Sequence, residues 1–150
     1  MRGGDELDCR IFANARLDQI LSCVACVATA PLEPAPTGTT MATPCGELDV
    51  RRNPDADPAC AADFPDGFLR FEATLELFPD STVPRDTRID FVSNLLRRLW
   101  ATGIPAVAAC DYEQDLADGG GYGSASAPWP GPRSSVNGTS CPAVRTEAAD

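Results

Sequence analysis

Histidine and lysine are both absent from the 150-residue sequence, so all twelve basic residues are arginines. Without histidine, the chain cannot form the Ser–His or Cys–His couples that activate a nucleophile in many hydrolases. It also lacks a phosphate-binding loop, because its one glycine cluster, at residues 119–121, leads into a tail and does not join a strand to a helix. These absences predict a protein with no catalytic residues and no cofactor.

Long apolar runs and positive charge are scarce as well. No run approaches the roughly 20 apolar residues of a membrane-spanning helix. The 22 acidic residues give a formal net charge of −10, which argues against nucleic acid, because binding there depends on Lys and Arg that neutralise phosphates. The same charge disfavours an anionic membrane surface. It permits a basic protein partner, although an acidic surface also keeps a protein in solution.

The segment ILSCVACVATA, residues 20–30, has the apolar character of a secretion signal. Its flank does not match, because residues 1–19 carry three arginines and four acids where a signal has a short positive region. We therefore expect a cytoplasmic protein. The seven cysteines are an odd number, and without a signal they favour reduced thiols over a disulfide framework.

Cys23 and Cys26 form a CxxC pair, a pattern found in redox and zinc sites. A redox pair places its first thiolate at a helix N-terminus, whereas these residues fall late in a predicted helix, between Leu21 and Val27. A zinc site needs four ligands, and the chain has neither a second such pair nor histidine. We predict two small core cysteines and no bound metal.

Hydrophobic periodicity predicts four strands and two helices. The strands are expected at residues 7–13, 46–52, 68–78 and 104–110, and the helices at residues 15–29, capped by Asn14, and 85–102. Within the third strand apolar and polar residues alternate strictly, which is typical of one buried and one solvated face. The segment at residues 30–45 is rich in proline and predicts an irregular connector.

The order β-α-β-β-α-β predicts a ferredoxin-like split βαβ sandwich, in which a four-stranded antiparallel sheet carries both helices on one face. The first and third strands would be central, the fourth would lie beside the first, and Cys9 and Cys110 would share one end of the sheet. This single α+β domain would span residues 1–118, and residues 119–150 predict a disordered Gly/Ser/Pro-rich tail. The residues expected in the core include Leu75, Leu77, Val92, Leu96 and Leu99.

Acidic side chains are the main candidates for function. The predicted binding residues are Glu72 and Glu76, on the solvated face of the third strand, and Asp111, Tyr112, Glu113 and Asp115, after the fourth. We expect the acids after the fourth strand to form a charged rim, because that strand lies at a sheet edge. The alternative is a small carboxylate-dependent hydrolase of the glycosidase type, in which Glu72 and Glu113 would lie about 5–9.5 Å apart.

The stretches DGFLRFEATLELFPD, VSNLLRRLWATGIPAVAACDYEQDL and GGGY resemble a group of small, mostly uncharacterised actinobacterial proteins. The resemblance covers residues 46–123, extends more weakly to residues 5–29, and leaves the tail unmatched. Some members of the group resemble immunity proteins of polymorphic toxin systems, which bind and neutralise a toxin in the cytoplasm. Together with the negative charge, the resemblance implies a non-catalytic inhibitor of a basic toxin protein.

Overall fold

Six strands and three α-helices form the described part of the chain, which comprises residues 7–35, 38–63, 66–121 and 127–130 of the computed structural model. The strands are β1 (Cys9–Ala13), β2 (Glu33–Ala35), β3 (Gly38–Ala42), β4 (Gly46–Arg52), β5 (Ala73–Pro79) and β6 (Ala106–Ala109). The helices are α1 (Leu17–Val24), α2 (Pro58–Ala61) and α3 (Arg85–Ala101). Short 3-10 segments lie at Ala25–Val27, Asp66–Arg70, Glu113–Asp115 and Ala117–Gly121.

All six strands belong to one antiparallel sheet, in the order β2-β3-β4-β5-β1-β6. β1 is central, with Ile11 opposite Leu75 of β5 on one side and Ala108 of β6 on the other. The predicted α+β class with an antiparallel sheet is therefore confirmed, and the four predicted strands neighbour one another in the expected order. The expected number of strands is wrong, because the sheet has six.

The two additional strands form a hairpin in the segment that the sequence predicts as a connector, residues 30–45. β3 pairs with β4, and the Thr40 hydroxyl donates a hydrogen bond of 3.0 Å to the Asp49 carboxylate opposite it. The next side chain, Met41, points to the other face of the sheet and is buried in the core. Pro34 is compatible with this hairpin because it lies in the edge strand β2, where a missing amide donor is tolerated.

The main core lies between one face of the sheet and the helices α1 and α3. The predicted core residues are all buried, each at most 2% exposed: Leu75, Leu77, Val92, Leu96 and Leu99. Those from α3 recur at spacings of three and four, and those from β5 at a spacing of two, so that each set shares one face of its element. α3 is followed at Gly103 by a φ of +85°, the left-handed conformation that glycine adopts just beyond helix ends.

Part of the opposite face of the sheet is covered, although the sequence predicts this face to be solvated. All seven residues of β5 are buried. The chain between β4 and β5 folds over this face as α2 and the segment Asp66–Arg70, so that Phe68 meets Phe12 of β1 edge-to-face at 5.4 Å between ring centroids. The predicted strand at residues 68–78 is correspondingly shorter and begins at Ala73.

Part of the predicted disordered tail packs on the second, smaller apolar cluster, which lies on this face of the sheet and includes Phe12, Phe68 and Phe71. The Trp129 ring lies 5.4 Å from the Phe71 ring, and its indole N–H donates a hydrogen bond of 2.9 Å to the Ala62 carbonyl. The expectation of disorder is therefore wrong for residues 119–121, which belong to a 3-10 segment, and for residues 127–130. The rest of the predicted tail lies outside the described residues.

The first helix differs from its prediction in length and in its cap. α1 begins after Arg16, whose amide N–H donates a hydrogen bond of 3.1 Å to the Gln19 side chain. Asn14 is not the cap, because its side-chain oxygen accepts a hydrogen bond from the Glu72 amide at 3.2 Å. None of the helices in the described ranges is both long enough and apolar enough to cross a membrane.

The cysteines are not all reduced, because Cys60 is disulfide-bonded. Among the described residues, the free cysteines are Cys9, Cys23, Cys26, Cys45 and Cys110. Within the CxxC pair, Cys23 donates a hydrogen bond of 3.4 Å to the Arg98 carbonyl near the end of α3, whereas Cys26 is exposed. The prediction of two core cysteines is therefore wrong for Cys26.

We expect Leu96→Ala to lower the free energy of unfolding by about 2–5 kcal/mol, because it removes a fully buried side chain and leaves a cavity. Leu32→Ala is the control, since Leu32 is 38% exposed and its truncation should change stability by about 0.5 kcal/mol or less. Urea denaturation measures both. A loss below about 1 kcal/mol for Leu96→Ala would mean that α3 packs on the sheet through another face.

Candidate functional site

The six residues predicted to bind a partner do not lie on one surface. β1 is antiparallel to β5 and to β6, so β5 and β6 end where β1 begins. Glu72 precedes β5 and therefore lies at the opposite end of the sheet from the segment Asp111–Asp115, which follows β6. Glu76 lies between the two ends, within β5. The predicted set therefore occupies three separate places.

Glu76 is a buried acid whose charge is neutralised within the sheet. Its carboxylate accepts a hydrogen bond from Arg10 Nε at 3.0 Å and another from Arg51 Nη1 at 3.4 Å. The strand register causes this, because Arg10 lies directly opposite Glu76 on β1, while Arg51 reaches it diagonally from β4. Both carboxylate oxygens thus bind arginines, and Glu76 is not available to a basic partner.

A cavity of about 430 Å³ adjoins this ion pair, and its polar wall is already hydrogen-bonded. Asn53 donates to the carbonyls of Leu69 at 2.9 Å and Phe71 at 2.8 Å. Its side-chain oxygen accepts a hydrogen bond from the Asp55 amide at 3.0 Å. Asn53 therefore fixes the chain between β4 and β5 against the sheet, which is a structural role.

Glu72 and Glu113, the pair considered for a hydrolase, are far apart. Glu72 lies just before β5, where Arg52 is 3.8 Å from its carboxylate. Glu113 follows β6, at the other end of the sheet. The two residues are therefore separated along the sheet by the length of β1, whose five residues span roughly 15 Å at about 3.3 Å per residue. A glycosidase pair needs about 5–9.5 Å, so these carboxylates do not meet at one bond.

The acids after β6 lie in a turn. Glu113–Asp115 form a 3-10 segment, and the Glu113 carboxylate folds back to accept a hydrogen bond of 3.1 Å from the Cys110 amide. Asp111 is exposed. Asp115 is exposed as well and forms an ion pair of 3.4 Å with Arg85 in the first turn of α3. Of the predicted acids in this segment, Asp111 and Asp115 therefore face solvent most fully.

Tyr112 is buried beneath this turn and connects three elements. Its hydroxyl donates a hydrogen bond to the Asp8 carboxylate, which also accepts one from Arg88 Nη1 at 2.8 Å. The Arg85 guanidinium lies over the Tyr112 ring, 5.8 Å from its centroid. Burial and the hydrogen bond to Asp8 raise the pKa of Tyr112, so its hydroxyl stays protonated at neutral pH. This network holds the segment after β6 against β1 and α3.

Asp8 and Arg88 belong to the site although the sequence analysis does not single them out. One signal for Asp8 is present in the sequence, because Cys9 and Cys110 are expected at the same end of the sheet. That juxtaposition brings Asp8 close to the residues that follow Cys110. Arg88 has no such signal, since it is one of several arginines on a helix whose apolar stripe alone is distinctive.

These groups form part of a larger surface, which we call the acidic end, where β1 begins and β5 and β6 end. Among the described residues it includes the acids Asp8, Asp80, Asp86, Asp111, Glu113 and Asp115, and the arginines Arg85 and Arg88. Leu7, Asp8, Asp80 and Arg88 line one hollow of about 210 Å³. Leu7 is 41% exposed, so the acidic end combines excess negative charge with an apolar side chain.

A metal site is not assembled in the described ranges. No three His, Cys, Asp or Glu side chains there are grouped so that they could hold a metal ion. In the CxxC pair, Cys23 is hydrogen-bonded to Arg98, and only Cys26 is exposed. The absence of a metal and of a cofactor in the functional protein remains a prediction.

Comparison with known proteins adds no relative. The sequence matches no protein-family model, and no curated protein or solved structure is significantly similar to it.

We expect Glu76→Gln to lower the free energy of unfolding by about 1–3 kcal/mol, because two arginines lose their charged acceptor. Glu72→Gln is the matched control, since the Glu72 carboxylate is 32% exposed and 3.8 Å from Arg52; it should cost less than about 1 kcal/mol. Urea denaturation at neutral pH compares the two. Equal, small losses would show that Glu76 is not tied into the sheet.

Tyr112→Phe should cost about 1–3 kcal/mol at neutral pH, because the Asp8 carboxylate loses a hydrogen-bond donor. Folding raises the pKa of Tyr112, so above about pH 10 this hydroxyl ionises in the unfolded chain while it stays protonated in the folded protein. The free energy of unfolding of the wild type therefore falls as the pH rises through this range. The variant lacks this ionisation. The stability difference between the two proteins should therefore shrink above about pH 10.

Urea denaturation of both proteins between neutral pH and about pH 11 measures this difference. A difference that stays constant over the whole range would contradict the hydrogen bond between Tyr112 and Asp8.

Proposed function

We propose that the protein is a non-catalytic binding protein, an immunity-type inhibitor that neutralises a basic toxin protein. The observation that carries the proposal is the acidic end, where six carboxylates outnumber two arginines. Such a surface attracts a positively charged partner through solvent and speeds its association. Residues 46–123 resemble a group of small actinobacterial proteins, some of which resemble immunity proteins, and this resemblance supports the same function.

Leu7 supplies the apolar contact that such a surface needs. Charges around an interface mainly set the association rate, while most of the affinity comes from a few apolar or aromatic anchors. Leu7 is one of two large apolar side chains that are exposed among the described residues. A partner that covers Leu7 would bring its basic residues close to Asp80 and Asp111.

Rigidity of the acidic end supports binding without rearrangement. The segment after β6 is held by Tyr112 through Asp8 and by the ion pair of Asp115 with Arg85. A surface that is already ordered loses less conformational entropy when a partner binds. The same contacts keep Asp111 on a short, fixed turn.

The finer fold assignment is part of this proposal. We assign β6, β1, β5 and β4, with α1 and α3 on one face, to a ferredoxin-like sandwich that the hairpin β2-β3 extends at one edge. The strand order and the shared core of the two helices support the assignment. A crystal structure in which β1 does not separate β5 from β6 would overturn it.

The cytoplasm is the proposed location, since immunity proteins of this type act there. The mixed charge of residues 1–19 supports it, being unlike a secretion signal. The disulfide at Cys60 weighs against it, because disulfides persist mainly in oxidising compartments. Detection of the protein in the cytoplasmic or the secreted fraction of the native host decides between the two.

Capture of a partner from the native host tests the function. The tagged protein should recover a basic protein that it inhibits when both are purified, with an affinity that falls as salt rises. Asp80→Asn/Asp111→Asn should slow association severalfold and leave dissociation nearly unchanged, because exposed charges act on the encounter. Leu7→Ala should instead speed dissociation, because it removes an anchor.

The matched control is Glu33→Gln/Asp66→Asn, which removes the same charge from two exposed acids outside the acidic end. It should leave the association rate within about twofold of wild type. Equal slowing by both double variants would mean that net charge acts, and not this surface. Failure to capture a basic protein, together with hydrolysis of a glycoside that Glu72→Gln abolishes, would replace the inhibitor with the hydrolase.

A further inference from the structure

Cys9 and Cys110 are free thiols that face each other across two neighbouring strands. Arg10 of β1 lies opposite Ala109 of β6. Because the strands are antiparallel, the residue before Arg10 and the residue after Ala109 come next in the register, and these are Cys9 and Cys110. Opposed residues of antiparallel strands have Cα atoms about 4.5–5.5 Å apart, within the range of about 4.4–6.8 Å that disulfides span. The two side chains lie close enough that each shifts the pKa of the other.

The two thiols differ in exposure and in acidity. Cys9 is 2% exposed, whereas Cys110 is only partly buried. The neighbouring Cys9 thiol is the main cause that lowers the pKa of Cys110, and the Tyr112 amide lowers it further, although burial and nearby acids oppose this shift. The contact with Cys110 and burial both raise the pKa of Cys9. Cys110 is therefore the member of the pair that ionises more readily and that a small molecule can reach.

We propose that Cys9 and Cys110 are a reversible oxidation site that forms an intrachain disulfide, with a peroxide as the oxidant. The Cys110 sulfur attacks one oxygen of hydrogen peroxide, the O–O bond breaks, and the released hydroxide gains a proton to give water and a sulfenic acid. The Cys9 sulfur then displaces the sulfenic oxygen, which leaves as water with the thiol proton. Two thiols are oxidised, and one peroxide is reduced to two waters.

The other free cysteines lack this arrangement. Cys45 is 1% exposed, and burial in acidic surroundings raises its pKa to about 11. Cys23 is hydrogen-bonded to the Arg98 carbonyl. Cys26 is exposed, so it reports oxidation that depends on exposure alone. The inferred site does not depend on the proposed inhibitor function.

Peptide mapping of the full chain after mild treatment with hydrogen peroxide tests the inference. Trypsin cleaves this lysine-free chain only after arginine, which places Cys9 alone in peptide 3–10 and Cys110 alone in peptide 99–133. After the remaining thiols are alkylated under denaturing conditions, we expect these two peptides to be linked with the loss of two hydrogens. A thiol reductant should separate them, and peptide 17–51 should stay fully alkylated.

A map in which Cys26 is oxidised before Cys110, or in which peptides 3–10 and 99–133 stay unlinked, would overturn the inference. Two variants test the order of the steps. Cys9→Ser should stop at a sulfenic acid on Cys110, which dimedone captures, and Cys110→Ser should leave Cys9 reduced. Oxidation of Cys9 at an unchanged rate in Cys110→Ser would refute the assigned order, and the wild-type map remains decisive if either variant misfolds.

Discussion

The antiparallel register of β1 between β5 and β6 is the constraint on which the other features depend. It turns Ile11 into the core beneath the helices and places Arg10 on the other face, directly opposite Glu76. The same register brings Cys9 across from Cys110 where the ladder ends. A slip of one residue would bury Arg10 in the apolar core and expose Ile11. The core, the internal ion pair and the thiol pair are therefore specified together.

The fold is predictable wherever an element carries its own pattern. β4 has the predicted bounds, Gly46–Arg52, and α3 ends one residue before its prediction, because clear turn and helix-end signals flank them. The hairpin β2-β3 escapes prediction because proline argues locally against a strand, while its pairing with β4 is a tertiary contact. Trp129 escapes as well, since a single aromatic in a polar segment has no periodicity, and its partner Phe71 lies far back in the chain.

The candidate site is predictable only where exposure follows from position in the chain. Asp111 and Asp115 follow a strand end, and a turn at such a place faces solvent. Glu76 sits in an alternating pattern that is typical of a solvated strand face, yet its arginines come from positions 66 and 25 residues away. Arg88 reaches Asp8 over 80 residues. Whether an acid is neutralised thus depends on distant partners, which a local pattern does not record.

The edges of the sheet affect how copies of the protein behave toward one another. An edge strand presents unpaired backbone groups on which a second chain can add a strand. β2 offers only three residues, of which Pro34 lacks an amide donor and Glu33 would repel its counterpart in another copy. β6 has four residues and leads directly into an acid-rich turn. Both borders therefore oppose growth of a continuous intermolecular sheet when copies of the protein meet edge to edge.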